Sequence, residues 1–206
     1  MAKVLSSGIA AIFLLSSLLL CGCASKPPNY YVLHSLQSDA PGVKMATAES
    51  DLSVGVGPIT IPEYLDRPQM ATRSTPDRLQ FAEFDKWAES LAKNLTRVLA
   101  ENLAVLLSTD RVEIFPWVSS AQVQYQVTVD VMQFERMPDG KVTLAARWNL
   151  LGDHGDMLQN GSSRFIIPVE SAEYDAIASA ESRAVEALSR EIATALKALP
   201  RQVPAS

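Results

Sequence analysis

The chain is poor in cysteine and histidine, with only two of each among its 206 residues. Both cysteines, Cys21 and Cys23, lie at the end of an N-terminal apolar stretch, so a mature chain that begins at Cys23 keeps a single sulfhydryl residue. This scarcity excludes a disulfide framework, a cysteine-based zinc site and a cysteine nucleophile. Neither His34 nor His154 neighbours a serine-nucleophile motif, so we expect no catalytic triad.

Basic side chains are also in the minority, since 18 Lys and Arg stand against 23 Asp and Glu for a formal net charge of −5. Such a surface gives no reason to expect nucleic acid as a partner. We find no glycine-rich phosphate loop and expect no cofactor. The Gly-Asp-His-Gly-Asp sequence at 152–156 is typical of a turn, so we expect no metal site and no enzymatic activity. Carboxylates such as Asp130 and Glu135 are expected on solvated strand surfaces or strand ends, where solvation gives no reason for a shifted pKa.

The N-terminal segment has the organisation of a bacterial lipoprotein signal. Lys3 precedes an apolar stretch over 4–20, and Leu-Cys-Gly-Cys at 20–23 matches a lipobox that ends in the lipidated cysteine. We predict a signal peptide over 1–22 and a diacylglyceryl and N-acyl anchor on Cys23. An uncleaved membrane-spanning helix is the alternative, and the four serines within the stretch argue against it. Because no Asp follows the cysteine, the sorting pattern favours the periplasmic face of the outer membrane.

Hydrophobic periodicity predicts strands, a helix, more strands and a second helix after a tether over 23–29. Period-two patterns and turn signals predict strands at 30–33, 52–59, 69–73, 78–84, 111–115, 123–131, 142–150 and 157–169. Three- and four-residue spacing from Asp85 onward predicts the first helix, with Trp87 in its apolar stripe. Ser171 is expected to cap the second helix, which Pro200 ends.

The predicted fold is α+β, a mainly antiparallel β-sheet with two amphipathic helices packed on one face. It occupies a single domain over 30–200, followed by a C-terminal tail over 201–206. The alternation of polar and apolar residues in the predicted strand at 123–131 shifts phase at Met132 and Phe134, which predicts a β-bulge there. The role of Trp117, which lies outside any clear pattern, stays open.

The segment at 59–73 is the hardest to explain as a simple loop, because it combines aromatic residues, prolines and charges of both signs. Its Tyr-Leu-Asp-Arg-Pro-Gln sequence at 64–69, together with the segments at 84–91 and 98–103, resembles the PqiC-type (YmbA-like) ABC-transport auxiliary lipoproteins. The similarity covers essentially the whole mature chain.

The resemblance implies a non-enzymatic, outer-membrane-anchored partner of an MCE/ABC-type envelope transport system. In such systems, periplasm-spanning MCE-domain proteins carry lipid or other hydrophobic molecules between the membranes. The resemblance also implies a homo-oligomer in the form of a ring. A stand-alone periplasmic lipid-binding carrier lipoprotein is the competing function, and it would need an enclosed apolar cavity on the order of several hundred Å³.

Five residues of this segment are the predicted partner contacts: Tyr64, Asp66, Arg67, Pro68 and Gln69. A rigid loop that bears an aromatic ring and a charged fork is suited to recognition at an interface. The alternative is architectural, with Asp66 paired to Arg67 and Tyr64 covering the edge of the sheet.

Overall fold

The computed structural model describes residues 26–36, 51–117 and 123–200. These residues form an eight-stranded sheet and two long helices. The strands are β1 (Asn29–Tyr31), β2 (Val54–Thr60), β3 (Gln69–Thr75), β4 (Arg78–Trp87), β5 (Val112–Ile114), β6 (Tyr125–Arg136), β7 (Lys141–Gly152) and β8 (Met157–Pro168). The helices are α1 (Leu91–Leu107) and α2 (Tyr174–Ala198), and Glu63–Leu65 forms a turn of 3-10 helix. The predicted signal peptide, Cys23 and the predicted tail lie outside the described residues.

The sheet is mainly antiparallel, as predicted, but it also contains parallel pairs. β6, β7 and β8 form a continuous antiparallel meander, and β3 with β4 forms a second hairpin. β2 instead runs parallel to β5 and to the first half of β6. Parallel neighbours need a long crossover, which the β3–β4 hairpin and α1 supply between β2 and β5. The resulting order is β1-β4-β3-β6-β2-β5, with β7 and β8 following β6 on its other edge.

Both helices pack on one face of the sheet, which confirms the predicted architecture. A small void lies where the two helices meet β2, β6 and β7, lined by Ile59, Leu95, Leu99, Val129, Val131, Leu144, Val185 and Leu188. Its volume is about 10 Å³, roughly the space that one water molecule needs. The described core is therefore densely packed at this junction. Among the described residues, no helix is both long and apolar enough to cross a membrane.

The first helix begins later than predicted. Asp85, Lys86 and Trp87 pair with β1 as the last residues of β4, and the helix starts at Leu91 after Ser90. The predicted placement of Trp87 in the helix is therefore wrong, although its side chain is buried in the core, as expected. The pattern was misleading because Trp87 precedes Leu91 by four residues, which is also the spacing of one helical face.

The predicted cap of the second helix is also wrong. α2 starts at Tyr174, and Glu173 rather than Ser171 occupies the N-cap position. The hydroxyl of Ser171 accepts a hydrogen bond of 3.3 Å from the Glu173 N–H. Ser171 therefore stabilises the turn before the helix instead of the helix end itself.

The predicted bulge in β6 is present, because the pairing with β7 shifts register at Met132. Beyond it, Glu135 is completely buried, which makes the expectation of a solvated side chain wrong for this residue. Asp130, before the bulge, is exposed as expected. The buried Glu135 carboxylate accepts hydrogen bonds from Tyr64, in the segment after β2, and from Arg73 in β3, and the sequence of β6 alone does not reveal these contacts.

Trp117, whose role the sequence left open, packs against the sheet at β2, which lies between β5 and β6. Its ring lies against Gly55 in β2, where any Cβ atom would come within 2.8 Å of the indole. It also meets Phe115 edge to face, with ring centroids 5.3 Å apart.

Gly161 in β8 is expected to be sensitive to substitution, because a Cβ atom there would overlap the indole of Trp148. That indole is 3 % exposed and donates a hydrogen bond of 2.9 Å to the Ser163 hydroxyl, so its position is constrained. Gly161→Ala should lower the free energy of unfolding by about 1–3 kcal/mol, the usual cost of overpacking. Urea denaturation measures this loss, with Ser162→Ala as the exposed neighbouring control. Equal stability of both variants would show that the indole can be accommodated elsewhere.

Candidate functional site

The predicted contact residues lie on and beside a short turn between β2 and β3. The 3-10 turn Glu63–Leu65 ends where the Asp66 N–H donates to the Glu63 carbonyl oxygen at 3.1 Å. Leu65 is 3 % exposed and packs into the core. The three residues that follow, Asp66, Arg67 and Pro68, are exposed. The turn is thus held on its inner side and presents a charged, proline-stiffened segment on its outer side.

Tyr64 holds this turn against β6 through a buried carboxylate. Its hydroxyl donates a 2.8 Å hydrogen bond to Oε2 of Glu135, and Nε of Arg73 donates one of 2.8 Å to Oε1. The Glu135 side chain is 0 % exposed and that of Arg73 is 18 % exposed. Tyr64, Arg73 and Glu135 together are called the buried anchor below.

Electrostatics in the buried anchor favour the protonated forms of Tyr64 and Arg73. Burial, and then repulsion from the Glu135 carboxylate, raise the pKa of the Tyr64 phenol, so the hydroxyl keeps its proton and remains a donor. The hydrogen bond to Glu135 raises the pKa of the Arg73 guanidinium. A buried charge pair with hydrogen bonds on both carboxylate oxygens fixes geometry strongly, because either partner left alone would be a buried unpaired charge.

The exposed residues of the turn form part of a surface groove with a volume of about 540 Å³. Its lining comes from the turn, β1, the end of β4 and the residues before α1, namely Tyr30, Asp66, Arg67, Pro68, Lys86, Trp87 and residues 88–90. The Trp87 N–H donates to the Pro68 carbonyl oxygen at 2.7 Å, which ties the turn to the end of β4. The groove, called the docking groove below, combines aromatic rings with charges of both signs.

Arg67 is oriented by an aromatic ring of β4. Its guanidinium carbon lies 4.0 Å from the ring centroid of Phe81, a cation–π arrangement. Among the described residues, the ion pairs do not include one between Asp66 and Arg67. The local pairing considered as the architectural alternative is therefore not formed, whereas the inward position of Tyr64 fits that alternative.

The structure separates the five predicted contact residues into three groups. Asp66, Arg67 and Pro68 line the docking groove, Tyr64 belongs to the buried anchor, and Gln69 lies half-buried in β3. Whether any of them contacts a partner stays a prediction.

The sequence did not identify the other walls of the docking groove. Tyr30, Lys86 and Trp87 join it because β1 pairs with the end of β4, a contact between segments more than 50 residues apart. The one local feature of the sequence that could have indicated a wall of the groove was an aromatic residue, Tyr30, in a short strand.

Metal chemistry finds no support in the part of the chain that the structure describes, where no group of three or more His, Cys, Asp or Glu side chains could hold an ion. The 152–156 segment is a turn, as predicted, in which the Gly152 N–H donates to the Asp156 carbonyl oxygen at 2.9 Å. His154 is exposed at its tip.

Solved structures share this fold. A protein described only as uncharacterised aligns with a TM-score of 0.69 at 20% identity, over 83% of this chain and 99% of that chain. A protein from Xanthomonas campestris aligns with a TM-score of 0.65 at 18% identity, over 80% of this chain and 92% of that chain. The PelC dodecamer from Paraburkholderia phytofirmans is more distant, with a TM-score of 0.43 at 12% identity, over 72% of this chain and 92% of that chain. The likeness to the first two structures, at 20% and 18% identity, concerns the fold alone.

Among curated proteins, none matches the chain. Residues 34–193 match the family model of the ABC-type transport auxiliary lipoprotein component. The matched range contains the sheet from β2 to β8, α1, the buried anchor and most of α2. The chain therefore belongs to the family of ABC-type transport auxiliary lipoprotein components.

Proposed function

We propose that this lipoprotein docks a periplasm-spanning MCE-domain transport protein at the outer membrane, on whose periplasmic face the lipid on Cys23 holds it. The family is an auxiliary component of ABC-type transport, which implies a non-enzymatic role. The partner would carry lipid or other hydrophobic molecules between the membranes and so maintain membrane integrity. Self-association into a ring is part of the proposal and follows from the resemblance noted in the sequence.

The docking groove is the observation that carries this proposal. Three residues of the turn are exposed on its rim, namely Asp66, Arg67 and Pro68. Tyr64, in the same turn, is hydrogen-bonded to Glu135 inside the protein. A recognition segment that is already ordered loses little conformational entropy when a partner binds. Charges of both signs beside aromatic rings suit a polypeptide surface, on which aromatic and arginine side chains contribute most of the binding energy.

A lipid carrier fits the described core less well. A carrier needs an enclosed apolar cavity on the order of several hundred Å³. The void between the helices and the sheet is about 10 Å³, too small for an acyl chain. The docking groove is larger, but it is a surface feature lined by charged residues. We therefore favour an adaptor over a carrier.

Arg67→Glu should reduce recovery of the MCE-domain partner by roughly tenfold or more, because arginine is enriched among binding hot spots and a tenfold loss corresponds to about 1.4 kcal/mol. The test expresses the tagged protein in its own host, crosslinks the envelope and quantifies co-purified proteins by mass spectrometry. Arg78→Glu is the matched control, since Arg78 is an exposed arginine at the start of β4 and outside the lining of the docking groove.

A Cys23→Ala variant tests the anchor in the same experiment and should carry no lipid at position 23 when its N-terminus is analysed by mass spectrometry. Recovery of MCE-domain proteins that is equal for Arg67→Glu and Arg78→Glu would remove the docking groove from the contact surface. Recovery of bound lipid with no transport component would contradict the adaptor function and restore the carrier.

A further inference from the structure

We infer that the outward face of β1, with Tyr30 and the following Val32, lies against the phospholipid surface of the membrane that holds the lipid anchor. The inference rests on the proposed lipidation of Cys23. Because Tyr30 also lines the docking groove, the groove would then open at the membrane surface.

The chain between the anchor and the folded domain is short. Cys23 is three residues before Lys26, where the described chain begins, and six before Asn29, the first residue of β1. An extended chain covers at most about 3.3–3.6 Å per residue, so Asn29 lies within about 20 Å of Cys23. Pro27 and Pro28 favour a stiff, extended path over this distance.

The domain is large compared with this reach. α2 alone has 25 residues, which corresponds to about 37 Å at 1.5 Å per residue. Because this reach is shorter than the body, orientations with the β1 edge toward the bilayer are favoured over those that turn it away. The length of the chain before Asn29 therefore favours this side of the protein as the one that faces the lipid.

The side chains on that face have the chemistry of a membrane interface. Tyr31 and Leu33 point to the protein interior, whereas Tyr30 and Val32 are 64 % and 52 % exposed. Residues two apart in an extended chain share a face, so the two exposed side chains lie together. A tyrosine beside an aliphatic residue suits the headgroup level, where the ring is apolar and the hydroxyl stays hydrated.

Positive and negative charges around this face are balanced, so we expect its contact with the membrane to be mainly apolar. Lys86 pairs with Tyr30 in the neighbouring strand, and Arg67 lines the same groove, but Asp66 and Glu89 line it as well. Attraction to anionic lipid is then a minor contribution, and partitioning of Tyr30 and its neighbour is the main one. We therefore expect the contact to persist when salt is raised to about 0.5 M, where the Debye length is only a few Å.

The experiment uses cysteine labelling, since the mature chain has no cysteine other than Cys23. The full precursor of Tyr30→Cys or Val32→Cys is expressed and processed in a bacterium, and the new thiol is labelled with nitrobenzoxadiazole. The lipidated protein is reconstituted in phosphatidylethanolamine and phosphatidylglycerol vesicles that contain a lipid with a spin-labelled headgroup as quencher. Asp77→Cys is the control, because Asp77 is exposed in the β3–β4 turn, at the opposite end of β4 from the β1 pairing.

Quenching at positions 30 and 32 should be several-fold stronger than at position 77, at both low and high salt. Equal quenching at all three positions, with the protein still bound to the vesicles, would overturn the inference and leave the lipid anchor intact. Quenching that disappears at high salt would overturn the apolar contact. If mass spectrometry finds no lipid on Cys23 and the protein does not float with vesicles, the proposed anchor fails and this inference fails with it.

Discussion

Glu135→Ala should lower the free energy of unfolding by about 3–5 kcal/mol, because it removes one partner of a buried ion pair. The Arg73 guanidinium, 18 % exposed, then loses the carboxylate that accepts from its Nε at 2.8 Å. The Tyr64 hydroxyl loses its acceptor at the same time. A buried donor without an acceptor keeps its full desolvation penalty, so the two losses add to the cost of the cavity.

Two milder variants separate the contributions to this loss. Glu135→Gln preserves the shape and one oxygen acceptor but turns an amide N–H toward some of the donors, so its cost should be intermediate. These donors are the Tyr64 hydroxyl, the Arg73 guanidinium, the Gln133 side-chain amide and the Phe134 N–H. Tyr64→Phe removes only one hydroxyl and should cost about 1 kcal/mol. Urea denaturation of the three variants ranks them by their loss of stability. If Glu135→Ala were no worse than Tyr64→Phe, the charge pair with Arg73 would contribute nothing measurable.

The same variants connect stability to the proposed docking. Tyr64→Phe leaves the protein folded but weakens the attachment of the turn that presents Arg67 to the docking groove. We expect it to reduce partner recovery less than Arg67→Glu does, because it disturbs the position of the contact and not its chemistry.

Glu181→Gln should change the dependence of stability on pH. Glu181 lies on α2 and is 2 % exposed, and its Oε2 atom has no hydrogen-bond partner within the described residues. Burial, and then repulsion from the Glu135 carboxylate, raise the pKa of Glu181 well above its ordinary value. The folded protein therefore keeps a proton on Glu181 under conditions in which the unfolded chain has released it.

Because the folded protein binds more protons than the unfolded chain in this pH range, its stability decreases as the pH rises. Below the ordinary carboxylate pKa of about 4.3, both states hold the proton and Glu181 costs no ionisation energy. Above it, the unfolded state is favoured by up to about 1.4 kcal/mol per pH unit, until the raised pKa in the folded protein is passed. The wild type should lose this stability as the pH rises, and Glu181→Gln should not.

Urea denaturation at several values between about pH 5 and pH 8 measures the slope. The stability of Glu181→Gln relative to the wild type should increase with pH, by roughly 1 kcal/mol per unit at first. Glu186→Gln is the control on the same helix, because Glu186 is partly exposed and pairs with Arg190 at the surface. Parallel curves for the wild type and Glu181→Gln would show that Glu181 ionises within the folded protein as readily as in the unfolded chain.

The sequence predicted the elements of the fold well where one face of a segment is apolar. The alternation in β6 and the three- and four-residue spacing in α2 each report burial on one side, and both were confirmed. In β7, by contrast, the consecutive residues 142–146 are all buried, so both faces are covered there. Boundaries were less certain, as Trp87 shows. Its distance of four residues from Leu91 fits a helix equally well, and only the pairing of β4 with β1 places it in a strand.

The parallel pairs of β2 were not predictable from the sequence. Alternation indicates that a residue lies in a strand and which face it occupies, but it does not identify the neighbouring strand. The pairing of β2 with β6 joins segments about 70 residues apart, so no local pattern reports it.

The sequence by itself determined the lipobox pattern, the α+β class and the unusual composition of the turn that carries Arg67, because these depend on residue type and local spacing. The tertiary structure decided what each residue of that turn faces. Tyr64 and Arg67 are three residues apart, and the sequence does not indicate which of them faces inward. In the structure, Tyr64 contacts a buried carboxylate, whereas Arg67 lines a surface groove. The difference arises because Glu135 approaches from a strand 71 residues away, and burial depends on such distant neighbours more than on the residue itself.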